Sequence, residues 1–134
     1  MYQKFNGPWI GDNENGTYKN PILLSDYSDP DVIRVGKDFY MVASSFTYFP
    51  GLPVLHSRDL VNWEIISYAV DKLPFDDYDV PQHGKGVWAP SIRYHNGMFY
   101  VYFATPDEGI FVSTTDDPLF TFASSSTSAG ITFR

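Results

Sequence analysis

The side chains best suited to acid–base chemistry here are carboxylates, since the sequence has 16 Asp and Glu, three His and no Cys. Asp29 stands out because it lies in the sequence Ser28-Asp29-Pro30-Asp31, directly before an apolar run. Pro30 disfavours the helical region for the residue before it, so we expect an extended Asp29 just before the strand, where its carboxylate can point toward the axis of the fold and is available for acid–base chemistry. Asp-Pro is also a common turn, and these residues alone leave both interpretations open. We expect Asp31 to be structural, bonding nearby backbone.

Trp88 is the second candidate, because it precedes Ala89-Pro90 in a repeat of the Asp29-Pro30 pattern. Equivalent positions in two copies of a repeat should emerge at the same end of the fold. We therefore expect Trp88 to present its aromatic face near Asp29, where it could stack on an apolar ligand surface. The alternative is a core Trp packed between the two copies.

The segment from residue 46 to 49 places four bulky or branched side chains in a loop that ends at Pro50-Gly51. Such a loop is unusual for full exposure to solvent and favours a binding role. The choice among Phe46, Tyr48 and Phe49 as the residue that faces a ligand is close to even. His83, in the loop leading to Trp88, is a weaker candidate for a polar ligand contact.

The sequence gives little support for a metal site or for a catalytic nucleophile. His56 and His95 are expected to be structural or solvated, and no spacing of His residues predicts a zinc site. No serine stands in a nucleophile-elbow pattern, and no loop has the ligand spacing of an EF-hand. We expect no cofactor, leaving open a structural calcium ion in a longer protein. The remaining loop acids are interpreted as solvated: Asp26, Asp71, Asp76, Asp77 and Asp79.

Composition narrows the partner classes. The 134 residues carry a formal net charge of −7, which argues against nucleic acid or an anionic membrane as the main partner. The segment from Met1 to Trp9 lacks the pattern of a secretory leader, and no long apolar run is present. Localisation stays undetermined, with the cytoplasm as the default expectation.

Short runs rich in aromatic and β-branched residues, bounded by Gly, Pro, Asn or Asp, predict an all-β fold. The pattern from Asp29 through Phe39-Tyr40 returns about 60 positions later, with Pro90 and Phe99-Tyr100. Four antiparallel strands in a repeat of that length predict blades of a β-propeller. Only about two blades fit in this chain. We divide it into an N-terminal extension (1–19), a first blade (20–78), an incomplete second blade (79–119) and a low-complexity tail (120–134).

Several motifs occur in an order that resembles the N-terminal part of family 43 glycoside hydrolases, specifically the members similar to β-xylosidases. The resemblance covers roughly Asn20 to Leu119. It is carried by these stretches: Asn20-Pro21-Ile22-Leu23, Ser28-Asp29-Pro30-Asp31-Val32, Ser44-Ser45-Phe46-Thr47-Tyr48-Phe49-Pro50-Gly51, His56-Ser57-Arg58-Asp59-Leu60-Val61-Asn62-Trp63 and Gly86-Val87-Trp88-Ala89-Pro90-Ser91-Ile92.

This resemblance implies a five-bladed propeller with a sugar pocket at its axis and inverting hydrolysis of xylosides or arabinosides. Asp29 stands where the family places its general base, and Phe46, Trp88, Tyr48 and His83 would contact the sugar. The family's general-acid Glu and a second, modulating Asp come from later blades, and no position here matches either. The resemblance implies a β-1,4-xylosidic or α-L-arabinofuranosidic oligosaccharide from plant cell walls as substrate.

We therefore expect an N-terminal portion of such an enzyme, inactive alone because it lacks the proton donor. Two other classes stay open. One is a carbohydrate-binding module that uses the aromatic residues without catalysis. The other is a propeller fragment that assembles into a homo-oligomer through its open blade edges.

Overall fold

Two four-stranded antiparallel sheets make up the computed structural model, which describes residues 9–119 and 122–125, the last three as backbone alone. The first sheet contains β1 (Ser28–Val35), β2 (Asp38–Ser44), β3 (Gly51–Ser57) and β4 (Glu64–Val70). The second contains β5 (Trp88–His95), β6 (Met98–Thr105), β7 (Gly109–Thr115) and β8 (Ala123–Ser125). Strand order follows chain order in both, as in a propeller blade. The predicted all-β class is confirmed. No helix in the described part has the length and apolar character of a membrane span.

The two sheets share one register. Val35 pairs with Asp38 across the first two-residue turn, and His95 pairs with Met98 across the second. An irregularity interrupts each first strand at the same place, between residues 28 and 31 and between residues 88 and 91. The predicted repeat therefore extends from sequence to backbone geometry.

The third strand of each sheet also ends in the same way. The Ser57 hydroxyl accepts a hydrogen bond from the Asp59 N–H, and the Thr115 hydroxyl accepts one from the Asp117 N–H. Each aspartate then accepts a hydrogen bond from the backbone N–H two residues later. Such side-chain turns satisfy backbone donors that leave the sheet.

The core lies between the two sheets and is mainly aliphatic and aromatic. Edge-to-face rings join the sheets, with the Tyr40 and Phe99 centroids 5.0 Å apart. The largest buried members are Val42, Leu52, Val54, Val70, Val87, Ile92, Phe99, Val101, Phe103, Phe111 and Phe122. Alternate residues of β6 face this core, as expected for a strand with one buried face.

One boundary from the sequence analysis moves. Residues 123–125 lie in the segment predicted to be a tail, yet they form β8, which pairs with β7. Phe122, directly before β8, is only 3% exposed and belongs to the core. Trp63 directly precedes β4, and Phe122 directly precedes β8. The repeat would place a Trp at this position of the second sheet, and the chain has Phe122 there instead. The rest of the predicted tail and the first eight residues of the predicted extension lie outside the described residues.

Candidate functional site

Asp29 lies in the irregular start of β1, and its backbone differs from the prediction. The φ angle of Asp29 is +50°, in the left-handed region, so the expected extended conformation is wrong. The equivalent Ala89 has a φ of +37°. Both residues occupy the position where their strand departs from regular pairing, and a bulge of this kind re-aims a side chain. Asp tolerates the left-handed region better than most residues, and the bulge overrides the preference that Pro30 imposes.

The Asp29 carboxylate is exposed and anchored through one oxygen. Its Oδ2 atom accepts hydrogen bonds from the Ser44 hydroxyl at 2.8 Å and from the Ser28 hydroxyl at 3.0 Å. Ser44 is the last residue of β2 and is buried. Its hydroxyl oxygen in turn accepts a hydrogen bond from the Ala89 N–H at 2.7 Å. The candidate base is thereby connected to the second sheet.

Asp31 holds the first strands of the two sheets together. Its Oδ2 accepts from the Ile92 N–H at 2.9 Å, the Ser91 hydroxyl at 3.2 Å and the Arg93 guanidinium at 2.6 Å. These contacts agree with the structural role expected for Asp31. The backbone donor is Ile92 of β5, however, and not a residue close to Asp31 in the sequence. Its carboxylate therefore fixes β1 against β5 close to Asp29.

A backbone bridge connects the Phe46 loop to the second sheet. Phe46 and Val87 exchange two hydrogen bonds, with N–O distances of 3.1 and 3.0 Å. Gly86 permits this approach: its φ is +112°, and a Cβ there would lie 1.8 Å from the Phe46 carbonyl oxygen. Only glycine fits this position without moving the bridge.

Hydrogen bonds connect the chain neighbours of Trp88 to the other two predicted residues. Val87, directly before it, is bridged to Phe46, and the N–H of Ala89, directly after it, donates to Ser44, whose hydroxyl donates to Asp29. Trp88 is half-buried, and its indole N–H donates to the Gly84 carbonyl at 3.1 Å. Phe46 is 38% exposed. The anchored carboxylate is therefore connected through the backbone to the segments that carry two aromatic residues with accessible surface.

The other predicted contacts are placed differently. Phe49 is partly buried and packs against the core. Tyr48 is 76% exposed. His83 is exposed in its loop, and none of the contacts above involves it. The hydrogen bonds therefore connect the segments of Asp29, Phe46 and Trp88, whereas the sugar contacts expected of Phe46, Trp88, Tyr48 and His83 stay predictions.

The loop between the sheets is held from two sides. Gln82 N–H donates to the Thr47 hydroxyl at 2.8 Å, and Lys85 Nζ lies 2.7 Å from Asp107 Oδ2. The Asp107 carboxylate raises the pKa of Lys85. Burial, together with the hydrogen bond to Glu108, raises the pKa of Tyr78 to about 12, so this phenol stays a donor.

No group of three or more His, Cys, Asp or Glu side chains in the described residues has the geometry of a metal site. At the opposite end of the first sheet, His56 Nε2 lies 2.8 Å from Asp38 Oδ1. That hydrogen bond is the main cause of a lowered pKa of Asp38; burial opposes the lowering, and Arg58 adds to it. His56 therefore has the structural role expected for it.

Two site residues escaped the sequence analysis, Ser44 and Gly86. Both lie inside motifs that carried the family resemblance, yet neither residue type signals its role alone. A serine at the end of a predicted buried strand is the only cue for Ser44, because a buried hydroxyl requires partners. For Gly86, the cue is a second glycine two positions before Trp88.

Comparison with known proteins gives a consistent result. The sequence profile described as Glycosyl hydrolases family 43 matches residues 18–129. A putative beta-xylosidase of Xylanibacter ruminicola is 51% identical over 109 residues, covering 81% of this chain and 20% of that protein. A non-reducing end alpha-L-arabinofuranosidase of Bacteroides ovatus is 42% identical over 109 residues, covering 76% and 20%.

Among solved structures, a GH43 protein of Bacillus licheniformis aligns with a TM-score of 0.71 and 34% identity, covering 80% of this chain and 23% of that one. The chain spans about one fifth of the length of the curated relatives it matches. The ordered motifs, the two blade-like sheets and a profile match over most of the sequence lead to one conclusion: this chain belongs to glycosyl hydrolase family 43.

Proposed function

We propose that this chain is the N-terminal portion of an inverting glycosidase that cleaves xylosidic or arabinofuranosidic bonds, with Asp29 as its general base. The supporting observation is the setting of the carboxylate: it is exposed, held through one oxygen by Ser44 and Ser28, and connected by hydrogen bonds to the backbone segments of Phe46 and Trp88. A base needs a fixed orientation toward water, and a sugar needs an aromatic surface against its C–H groups. Similar proteins named for β-xylosidase and α-L-arabinofuranosidase activity support both substrate classes.

Inversion also requires a protonated carboxyl group on the far side of the sugar, about 6.5 to 9.5 Å from the base. No residue of this chain matches the family's acid, so the leaving group would depart unprotonated. General acid catalysis contributes a factor of about 10² to 10⁴, and the chain alone forfeits it. We therefore propose that the chain alone does not cleave unactivated glycosides.

The leaving group provides the test. A dinitrophenyl β-D-xyloside releases a weakly basic phenolate that needs no proton, whereas a methyl β-D-xyloside releases a strongly basic alkoxide. The purified chain and its Asp29→Asn variant are assayed on both substrates and on the matching α-L-arabinofuranosides. The substitution keeps the shape of the side chain and removes its basicity.

We expect slow, Asp29-dependent hydrolysis of an activated substrate and none of the methyl glycosides. Equal rates for the chain and Asp29→Asn on every activated substrate would contradict the role of Asp29. Rapid, Asp29-dependent cleavage of a methyl glycoside would show that the chain holds a proton donor and would contradict the proposed lack of one. A faster rate on the xyloside or on the arabinofuranoside would identify the preferred sugar.

A further inference from the structure

Ser44 is a buried hydroxyl with a partner on each side. The Ala89 N–H donates to its oxygen at 2.7 Å, and Asp29 Oδ2 lies 2.8 Å from the same oxygen. A backbone N–H can only donate, and a carboxylate can only accept. The Ser44 hydroxyl must therefore accept from Ala89 and place its single proton toward Asp29. Its rotation is fixed by this arrangement.

Ser28 contacts the same carboxylate oxygen but differs in this respect. Its hydroxyl lies 3.0 Å from Asp29 Oδ2, and the side chain is half-buried. No backbone donor in the described residues fixes its rotation. Two hydroxyls thus reach one oxygen, and one of them is oriented by the second sheet.

On the basis of the proposed function, we propose that Ser44 is the positioning residue of the general base. The hydroxyl, oriented by the Ala89 N–H, holds Oδ2 of Asp29 and leaves Oδ1 as the oxygen that faces water. In the described residues Oδ1 accepts no hydrogen bond. A donor in a chain of hydrogen bonds is polarised by its neighbour, so the Ala89 N–H strengthens the hold that Ser44 has on the carboxylate.

In this arrangement both sheets contribute to the position of Asp29. The bulge of β1 presents the carboxylate, and the equivalent bulge of β5 turns the Ala89 N–H toward Ser44. Correct orientation of Asp29 then depends on correct packing of the second sheet. A base that is misplaced by about 1 Å can lose a factor of about 10² in rate, so such a support has kinetic value.

The test uses the amide proton of Ala89 in the ¹⁵N-labelled full chain. Because Ala89 donates to Ser44 and Ser44 donates to Asp29, replacing the carboxylate by a neutral amide should weaken the hydrogen bond that Ala89 makes. We expect the chemical shift of this proton to move upfield in Asp29→Asn relative to the unsubstituted chain. Asp31 and Arg93 are the other charged groups at this junction, and the substitution leaves both in place.

Ser44→Ala removes the acceptor and should also shift this proton, whereas Ser44→Thr keeps the hydroxyl and should not. If Ser44 connects the two groups, adding Asp29→Asn to Ser44→Ala should shift the proton no further than Ser44→Ala alone. Ser45→Ala is the matched control, because the Ser45 hydroxyl accepts from the Leu52 N–H and makes no hydrogen bond to Asp29. An Ala89 proton that is unchanged in Asp29→Asn, or a double variant whose shift is the sum of the two single shifts, would overturn the proposal.

The kinetic readout is separate. Ser44→Ala should lower the Asp29-dependent hydrolysis of an activated glycoside roughly tenfold, with Ser44→Thr retaining the rate. If hydrolysis does not depend on Asp29 while the Ala89 amide shifts as expected in the variants, the proposed function fails and the positioning contact stands. If hydrolysis depends on Asp29 but is unchanged in Ser44→Ala, the positioning role fails and the proposed function stands.

Discussion

The two sheets place different residues on the same backbone. Each first strand has an irregular start with a left-handed residue, which is Asp29 in the first sheet and Ala89 in the second. In the first, a side chain projects from the bulge; in the second, the backbone N–H is used instead. The repeat therefore supplies two exposed turns of similar geometry, and only the first of them has an acidic side chain at the left-handed position.

A similar division of roles appears two residues further along the strand. Asp31 of β1 and Ser91 of β5 are equivalent positions, and the first accepts a hydrogen bond from the second. The Asp31 side chain reaches the neighbouring sheet and accepts hydrogen bonds from three of its residues, whereas the Ser91 hydroxyl donates one hydrogen bond to Asp31. A difference between copies thus builds the junction that identical copies would lack. The following predictions test this asymmetry.

The largest effect is expected for the residue before each fourth strand. Phe122 is buried in the core, so Phe122→Ala should lower the free energy of unfolding by about 3 to 5 kcal/mol. Trp63 is half-buried, and its indole N–H donates to the Leu60 carbonyl, so Trp63→Ala should cost roughly half as much. Urea unfolding midpoints measure both. A larger loss for Trp63→Ala would show that Phe122 does not close the second blade.

Two glycines of one loop provide the next comparison. At Gly86, alanine would place Cβ against the Phe46 carbonyl, so Gly86→Ala should cost about 3 kcal/mol by breaking the bridge and straining the backbone. Gly84 also has a positive φ, +70°, but its Cβ position is open, so Gly84→Ala should cost about 1 kcal/mol. The Phe46 and Val87 amides should lose exchange protection in Gly86→Ala alone. Equal loss in both variants would rule out the steric explanation.

The pair at positions 31 and 91 should show a smaller difference. Asp31→Ala leaves the buried N–H of Ile92 without an acceptor, at a cost of about 2 kcal/mol. Ser91→Ala removes only a 3.2 Å contact and should cost about 0.5 kcal/mol or less. The exposed Arg93 guanidinium adds little. Urea unfolding of both variants tests the difference, and equal midpoints would mean that Asp31 does not hold β5.

The smallest effect is expected for the loss of stability at low pH. Asp38 has a lowered pKa, chiefly through its hydrogen bond to His56, so its charged form stabilises the first sheet above the ordinary value of 3.8. This contribution is lost as the pH falls through the lower pKa of the folded state. The second sheet has Met98 and Thr114 at these positions. The urea midpoint should therefore fall less between about pH 6 and pH 3 in Asp38→Asn than in the unsubstituted chain. An identical fall would exclude this contribution.

Much of this fold follows from local sequence patterns. The strand cores, the two-residue turns and the repeat were predictable because apolar alternation and turn residues act over a few positions. The left-handed backbone conformation of Asp29 was not predictable, since the bulge that β1 forms against β2 overrides the local preference imposed by Pro30. β8 was also missed, because its small polar residues lack the β-branched and aromatic pattern of the other strands. Its pairing with β7 follows directly after the buried Phe122. Ser44 was missed because its role depends on a partner 45 residues away.

The most direct measurement of the central claim is an NMR titration of the ¹⁵N-labelled chain with xylobiose and with an arabinofuranoside. If Asp29, Phe46 and Trp88 form one sugar site, the Trp88 indole and the Phe46 and Ser44 amides should shift together, with one shared dissociation constant. The Trp63 indole and the amides of His56 and Met98 should remain unchanged. Shifts confined to those distant groups, or no shift at the Trp88 indole at saturating sugar, would contradict the account.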